Sequence, residues 1–142
     1  MAITGILLGL AGLIPFLATS IGLWMLDDER FLQVALLYGA VILSFLGGIQ
    51  WGTALTAGDK HARPGALIWS VMPALIAWGA AMSPPLYGPL LLAGGVFLAW
   101  VLEQPARVRQ HLPEWYRGLR HVLTFVVVGC MLADGIWVSL RW

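Results

Sequence analysis

The chain has 142 residues, 60% of them hydrophobic and only 11% charged, with a formal net charge of +1. Soluble domains carry about 25% charged residues and at this length still expose much of their surface. This composition therefore excludes a soluble globule, and the apolar residues must face lipid or one another. The near-neutral charge also excludes a nucleic-acid partner held by phosphate neutralisation.

A membrane-crossing helix needs about 20 apolar residues, and five segments meet that requirement. The first covers 3–25 and closes at Asp27, Asp28, Glu29 and Arg30. It has no basic stretch before it and is longer than the roughly 7–15 apolar residues of a secretory signal, so it reads as a retained helix. No transit, lipidation or retention signal is visible. Pro15 lies within this segment and predicts a kink. The second covers 31–57 without an internal charge and ends in a loop carrying Asp59, Lys60, His61 and Arg63. The third covers 65–82, contains Pro73, and stops at Ser83-Pro84-Pro85, where consecutive prolines withdraw backbone donors. The fourth, 86–102, is the shortest and forms an antiparallel hairpin with the third. Glu103 could then pair with Arg107 at i, i+4 unless Pro105 ends the helix. Residues 105–120 read as an interfacial stretch whose arginines anchor the topology among lipid head groups. The fifth span covers 118–140. Continuous apolar runs exclude strands, since open sheet edges are not tolerated in hydrocarbon. The predicted fold class is thus an all-α membrane protein, a five-transmembrane-helix bundle forming one integral membrane domain.

Lys and Arg set the orientation. With five spans, Lys60, Arg63, Arg107, Arg109, Arg117 and Arg120 share one side, and only Arg30 and Arg141 lie on the other. This predicts the N-terminus in and the C-terminus out. Two tryptophan belts agree: Trp51, Trp69, Trp100 and Trp115 toward the inner interface, and Trp24, Trp137 and Trp142 toward the outer one, with Trp78 deeper.

Lipid tails are as apolar as leucine, so association relies on close packing and interhelical hydrogen bonds. Ala40, Ser44, Gly48 and Gly52 recur every four residues down one face of the second span. That stripe is expected to make it the packing centre of the bundle, with Gly39 and Gly47 widening the groove. A homodimer seam is the other use for such a face.

Polar groups at depth are functional candidates by default because they are costly. Gln50, Ser70 and Thr124 fall at similar depths on three spans and form one expected hydrogen-bonded cluster, with His121 just beneath. Asp134 is the single acid well inside a span, near the level of Thr19, Ser20 and Tyr38. It is expected to be protonated, or paired with Arg141 or Arg30. One acid without a second acid or histidine at its depth makes a poor proton relay. Cys130 sits in an apolar run and reads as a buried, inert thiol. As the only cysteine it allows no intrachain disulfide and no cysteine-built zinc site. His61 and His111 fall in loops, so no pair of histidines shares a depth at which to hold haem, and no metal site, cofactor or catalytic set is legible.

The stretch Tyr38-Gly39-Ala40-Val41-Ile42-Leu43-Ser44-Phe45-Leu46-Gly47-Gly48-Ile49-Gln50-Trp51-Gly52 resembles the signature of the bacterial "domain of unknown function 3429" family. Leu8-Gly9-Leu10-Ala11-Gly12-Leu13-Ile14-Pro15-Phe16, Trp69-Ser70-Val71-Met72-Pro73 and Trp115-Tyr116-Arg117-Gly118-Leu119-Arg120 carry the same resemblance. It implies a five-helix inner-membrane protein, bacterial or mitochondrial, without an established activity. It also implies a polar group, rather than a fixed catalytic amide, at position 50. The expected function is that of a non-enzymatic accessory or assembly component of a larger membrane complex. The alternative is a small channel or carrier with a polar path near Gln50 and Asp134. The expected partners are the lipid bilayer and other membrane proteins or further copies of this chain.

Overall fold

The computed structural model describes residues 1–56, 63–105, 109–110 and 112–142. Among them every regular element is helical: α1 (Ala2–Ala11), α2 (Ile14–Leu26), α3 (Glu29–Thr56), α4 (Pro64–Met82), α5 (Tyr87–Glu103) and α6 (Glu114–Arg141). The expected positions of Lys60, His61, Arg107 and His111 lie outside the described residues.

Four helices are long and apolar enough to cross a membrane: α1 with α2 as one 25-residue stretch (Ala2–Leu26), α3, α4 and α6. The fifth apolar helix, α5, has 17 residues, which at about 1.5 Å per residue gives roughly 25 Å. It is thus somewhat shorter than the roughly 30 Å hydrocarbon layer.

The kink predicted at Pro15 is a break between two helices. A proline ring collides with the carbonyl four residues earlier and supplies no N–H. α1 therefore stops at Ala11, the chain turns through Gly12 and Leu13, and Pro15 sits in the first turn of α2, where it is tolerated. The Tyr38 hydroxyl of α3 donates to the Gly12 carbonyl at 3.0 Å, satisfying an acceptor at the break. The Tyr38 ring packs on Phe16 with centroids 5.0 Å apart.

The α2–α3 reversal uses local chemistry. Asp27 ends α2 in the left-handed region at φ 58°, a conformation that Asp accepts more readily than most residues. Asp28 then takes the Arg30 N–H on its carboxylate at 2.9 Å, capping the start of α3.

α3 packs along α2, α4 and α5, as a central helix should, and α6 does the same along α1, α2 and α5. The main core lies between them, around Phe16, Leu43, Leu92, Val96 and Met131. A smaller cluster at the Asp27 end joins Leu23, Leu32, Trp137 and Val138. Trp137 is only 3% exposed, so it is a core residue and not part of an aromatic belt. Its place on the inward face of α6 decides this.

The packing face of α3 is rotated from the expected one. Ala40 is half-buried, but Ser44, Gly48 and Gly52 are exposed, and a Cβ added at Gly48 or Gly52 would meet nothing within 4 Å. Inward-facing positions are Ala35, Gly39, Leu43, Leu46 and Gly47. This neighbouring stripe combines large apolar residues with two glycines, so it buries area and still admits close approach. At Gly47 a Cβ would lie 2.6 Å from the Ser70 carbonyl oxygen and 3.4 Å from Pro73 Cβ. The bare glycine thus seats α3 against the proline-bearing turn of α4.

Candidate functional site

One stripe of α6 carries three buried polar residues, Arg120, Thr124 and Asp134. Arg120, Thr124, Val127, Met131, Asp134 and Val138 are all buried, at alternating steps of four and three residues that keep one face toward the bundle. Apolar residues fill its middle, with a cation near one end and an acid toward the other.

At the first end, Arg120 and Glu103 form a buried ion pair between α6 and the last residue of α5. Arg120 Nε lies 3.0 Å from one Glu103 carboxylate oxygen and 3.2 Å from the other. The two side chains are 4% and 5% exposed. Arg120 Nη1 donates to Thr124 Oγ1 at 2.7 Å, and the Gln50 side chain of α3 also reaches the Glu103 carboxylate. Arg120 Nη2 and the Tyr116 hydroxyl are both buried and meet no partner in hydrogen-bonding geometry among the described residues, although the Tyr116 hydroxyl lies close to the Arg120 guanidinium. The expected headgroup role for Arg120 is therefore corrected. Its stripe position turns it inward, where desolvation demands the carboxylate it finds.

The polar cluster expected from Gln50, Ser70, Thr124 and His121 is divided. Gln50 Nε2 donates to the Ala99 carbonyl of α5 at 3.2 Å, tying α3 to α5. His121 Nδ1 accepts from Trp100 Nε1 at 2.8 Å, tying α6 to α5. Thr124 serves Arg120. Ser70, though buried, turns back on its own helix and donates to the Leu67 carbonyl at 2.6 Å, so it does not join the cluster. Beside this network lies a small cavity with Glu103 and Arg120 in its wall and Arg109 and Arg117 at its rim.

At the other end, Asp134 is fully buried. Neither of its carboxylate oxygens meets a donor in hydrogen-bonding geometry among the described residues. The Ser20 hydroxyl of α2 faces it, and Trp137 Nε1, likewise unpartnered among the described residues, belongs to the next turn. Neither arginine expected as a partner pairs with Asp134. Arg141 pairs with Asp27 and stacks over Trp137, 4.6 Å from the ring centroid. Arg30 lies 3.5 Å from Asp28. Both arginines take acids in the exposed reversal, where a charge keeps part of its hydration. Tyr38 and Thr19, expected at the Asp134 level, bond elsewhere: Tyr38 to Gly12, and Thr19 back to the Pro15 carbonyl at 2.7 Å. Cys130 is half-buried beside Ser20.

Sequence reading missed Glu103 and Arg120 as a pair. The four-and-three spacing from Arg120 to Val138 was the available signal, since it places Arg120 on the same face as Thr124 and Asp134.

A family model described as a protein of unknown function (DUF3429) matches residues 1–135. The chain is 36% identical over 127 residues to transmembrane protein 69 of Xenopus tropicalis, covering 85% of this chain and 49% of that protein. It is 33% identical over 123 residues to transmembrane protein 69 of Mus musculus, covering 82% and 49%. The chain thus spans about half the length of these curated relatives. No solved structure matches. Match length and identity together make this chain a membrane protein of the DUF3429 family.

Proposed function

We propose that this protein is a non-enzymatic accessory or assembly component of a larger complex in a bacterial or mitochondrial inner membrane. In this reading it crosses five times, with its N-terminus on the cytoplasmic or matrix side. The 17-residue α5 completes the fifth crossing with help from the residues that flank it. The observation that carries the reading is the unused small-residue face of α3. Ser44, Gly48 and Gly52 lie outward, and both glycines have open space above them. Close approach through small residues is how a membrane helix seats a neighbour, and this bundle leaves that face uncovered. Tyr38, Gln50, the Trp100–His121 pair and the Glu103–Arg120 pair bond helix to helix within the chain, which suits a stable docking body.

The test is substitution on that face. The Gly48→Leu/Gly52→Leu variant is expected to fold in mild detergent with a melting temperature no lower than the parent's, because nothing among the described residues stands within 4 Å of either Cβ and leucine is the better helix former. Its partners should fail to co-purify, whereas the parent chain should bring them through. Recovery of the parent as a lone monomer would count against assembly. For the orientation, Arg109→Cys in a Cys130→Ala background should resist a membrane-impermeant maleimide added from the periplasmic side, and Trp142→Cys should react. The reverse pattern would invert the topology.

One observation favours a second reading, a small channel or carrier. Asp134 is a buried acid facing Ser20, and Trp137, three residues further along α6, lines a surface indentation with Trp24, Leu140 and Arg141.

A further inference from the structure

We propose that the cavity between the C-terminal end of α5 and the N-terminal end of α6 binds a phosphate-bearing anion, the headgroup of an acidic phospholipid or a soluble phosphate ester. Three arginines meet there against one carboxylate: Arg109, Arg117 and Arg120 against Glu103. Glu103 is already answered by Arg120 Nε, so among the described lining residues no carboxylate is left for Arg109, or for Arg117, whose own contact is to Glu114 outside the lining.

Arg120 supplies the buried element of the site. The residue is 3% exposed, its Nε and Nη1 are committed, and its Nη2 is buried without an acceptor among the described residues. A guanidinium presents its donors in a fixed planar fork. Glu103 and Thr124 fix that plane in the cavity wall, so the remaining nitrogen and the Tyr116 hydroxyl close to the guanidinium are the donors an incoming oxygen would meet. A buried donor without a partner is costly, and a phosphate oxygen would relieve that cost with a charge-assisted hydrogen bond.

The cavity has room for little more than one water, about 10 Å³, so a phosphate would be met at its rim. Arg109 is exposed there. Among the described residues Arg117 is held by a 3.5 Å contact to Glu114, whose side chain is 93% exposed, a type of pair worth little. The wall is amphipathic: Trp100 and Leu112 give it an apolar side, suited to the glycerol and first acyl carbons of a lipid. Gln104, which donates to the Trp100 carbonyl at 3.0 Å, fixes that side in place. Such a site at the end of a bundle sits where headgroups lie.

The full chain, purified in mild detergent, would be titrated with dimyristoyl phosphatidylglycerol and, separately, with dimyristoyl phosphatidylcholine, and bound lipid counted by native mass spectrometry. One phosphatidylglycerol should bind saturably, with phosphatidylcholine far weaker. Arg109→Gln/Arg117→Gln should weaken phosphatidylglycerol by about 30-fold, roughly fivefold per arginine, with an unchanged melting temperature. Displacement by millimolar inorganic phosphate would support a site open to soluble phosphate esters, and resistance to it would support the lipid as occupant. Three results would each overturn the proposal: equal binding of the two lipids, undiminished affinity in the double variant, or an equal loss in an Arg30→Gln/Arg141→Gln control, which removes two charges at the opposite end.

Discussion

Arg120→Ala is expected to lower the free energy of unfolding by about 3–5 kcal/mol, the range seen when one member of a buried ion pair is removed. The reason is not the lost attraction alone. Glu103 sits at 5% side-chain exposure with Arg120 as its charged partner among the described residues, so the variant strands a carboxylate in a poorly solvated place. Glu103→Ala should cost a similar amount by stranding the guanidinium. Glu103→Gln should cost less, because an amide oxygen still accepts from Nε. The double replacement Glu103→Leu/Arg120→Met separates pairing from packing. It removes both charges while keeping volume, and should return to within about 1 kcal/mol of the parent or exceed it, since buried pairs are often matched by apolar substitutes. Thr124 would then turn its hydroxyl to a carbonyl of its own helix. Unfolding in mixed micelles, followed by circular dichroism, measures all four. A double variant as unstable as the worse single variant would show that the pair contributes more than the burial of matched charges.

The adjacent glycines of α3 should respond with opposite signs. Gly47→Ala places a methyl 2.6 Å from the Ser70 carbonyl oxygen. That atom is backbone, so a rotamer change cannot move it, and α3 and α4 must separate. A loss of about 1–3 kcal/mol is expected, as for other overpacked cores, and Gly47→Leu should not fold. Gly48→Ala meets nothing within 4 Å and trades glycine for a better helix former, worth up to about 1 kcal/mol in stability. The same micelle unfolding series reads both. Equal destabilisation would mean that α3 is turned differently from the arrangement described above.

These two positions also show what the sequence could and could not reveal. The apolar segments were legible because a run of some 20 lipophilic residues has few other uses. The last helix starts at Glu114, ahead of the span expected from 118, because Pro113 opens it and the polar turns of 114–121 still have a face to bury. Which side of α3 turns inward was not legible. Gly47 and Gly48 are neighbours about 100° apart on the helix, and the four-residue spacing of small side chains runs through Gly48, whereas Gly47 has Leu43 and Trp51 at four residues, so the spacing pointed to the wrong side. The choice falls to the partner surface, the kinked α4 around Ser70 and Pro73, which only the fold brings there. The Glu103–Arg120 pair was hidden for a similar reason. Its members are 17 residues apart across a loop, whereas Arg107 stood at a spacing that any helix makes attractive. Asp134 was recognisable as a buried acid from its place in an apolar run, but its neighbours were not, because depth along a span gives no angular position around the bundle.

The seating of α1 has a consequence for how the protein is made. α1 has no buried residue of its own, and its glycines meet the far end of the chain: Gly5 faces Trp115 and Gly9 faces Leu119. Asp27 and Arg141 join the other end of the first span to the last. The bundle is thus fastened between α1 and α6, two helices far apart in the chain. During vectorial synthesis the first span must wait in the bilayer, its half-helix unsupported, until α6 is inserted beside it. Close packing of α1 then follows the insertion of α6, and the interval before it is when the membrane insertion machinery or a neighbouring protein would find α1 available.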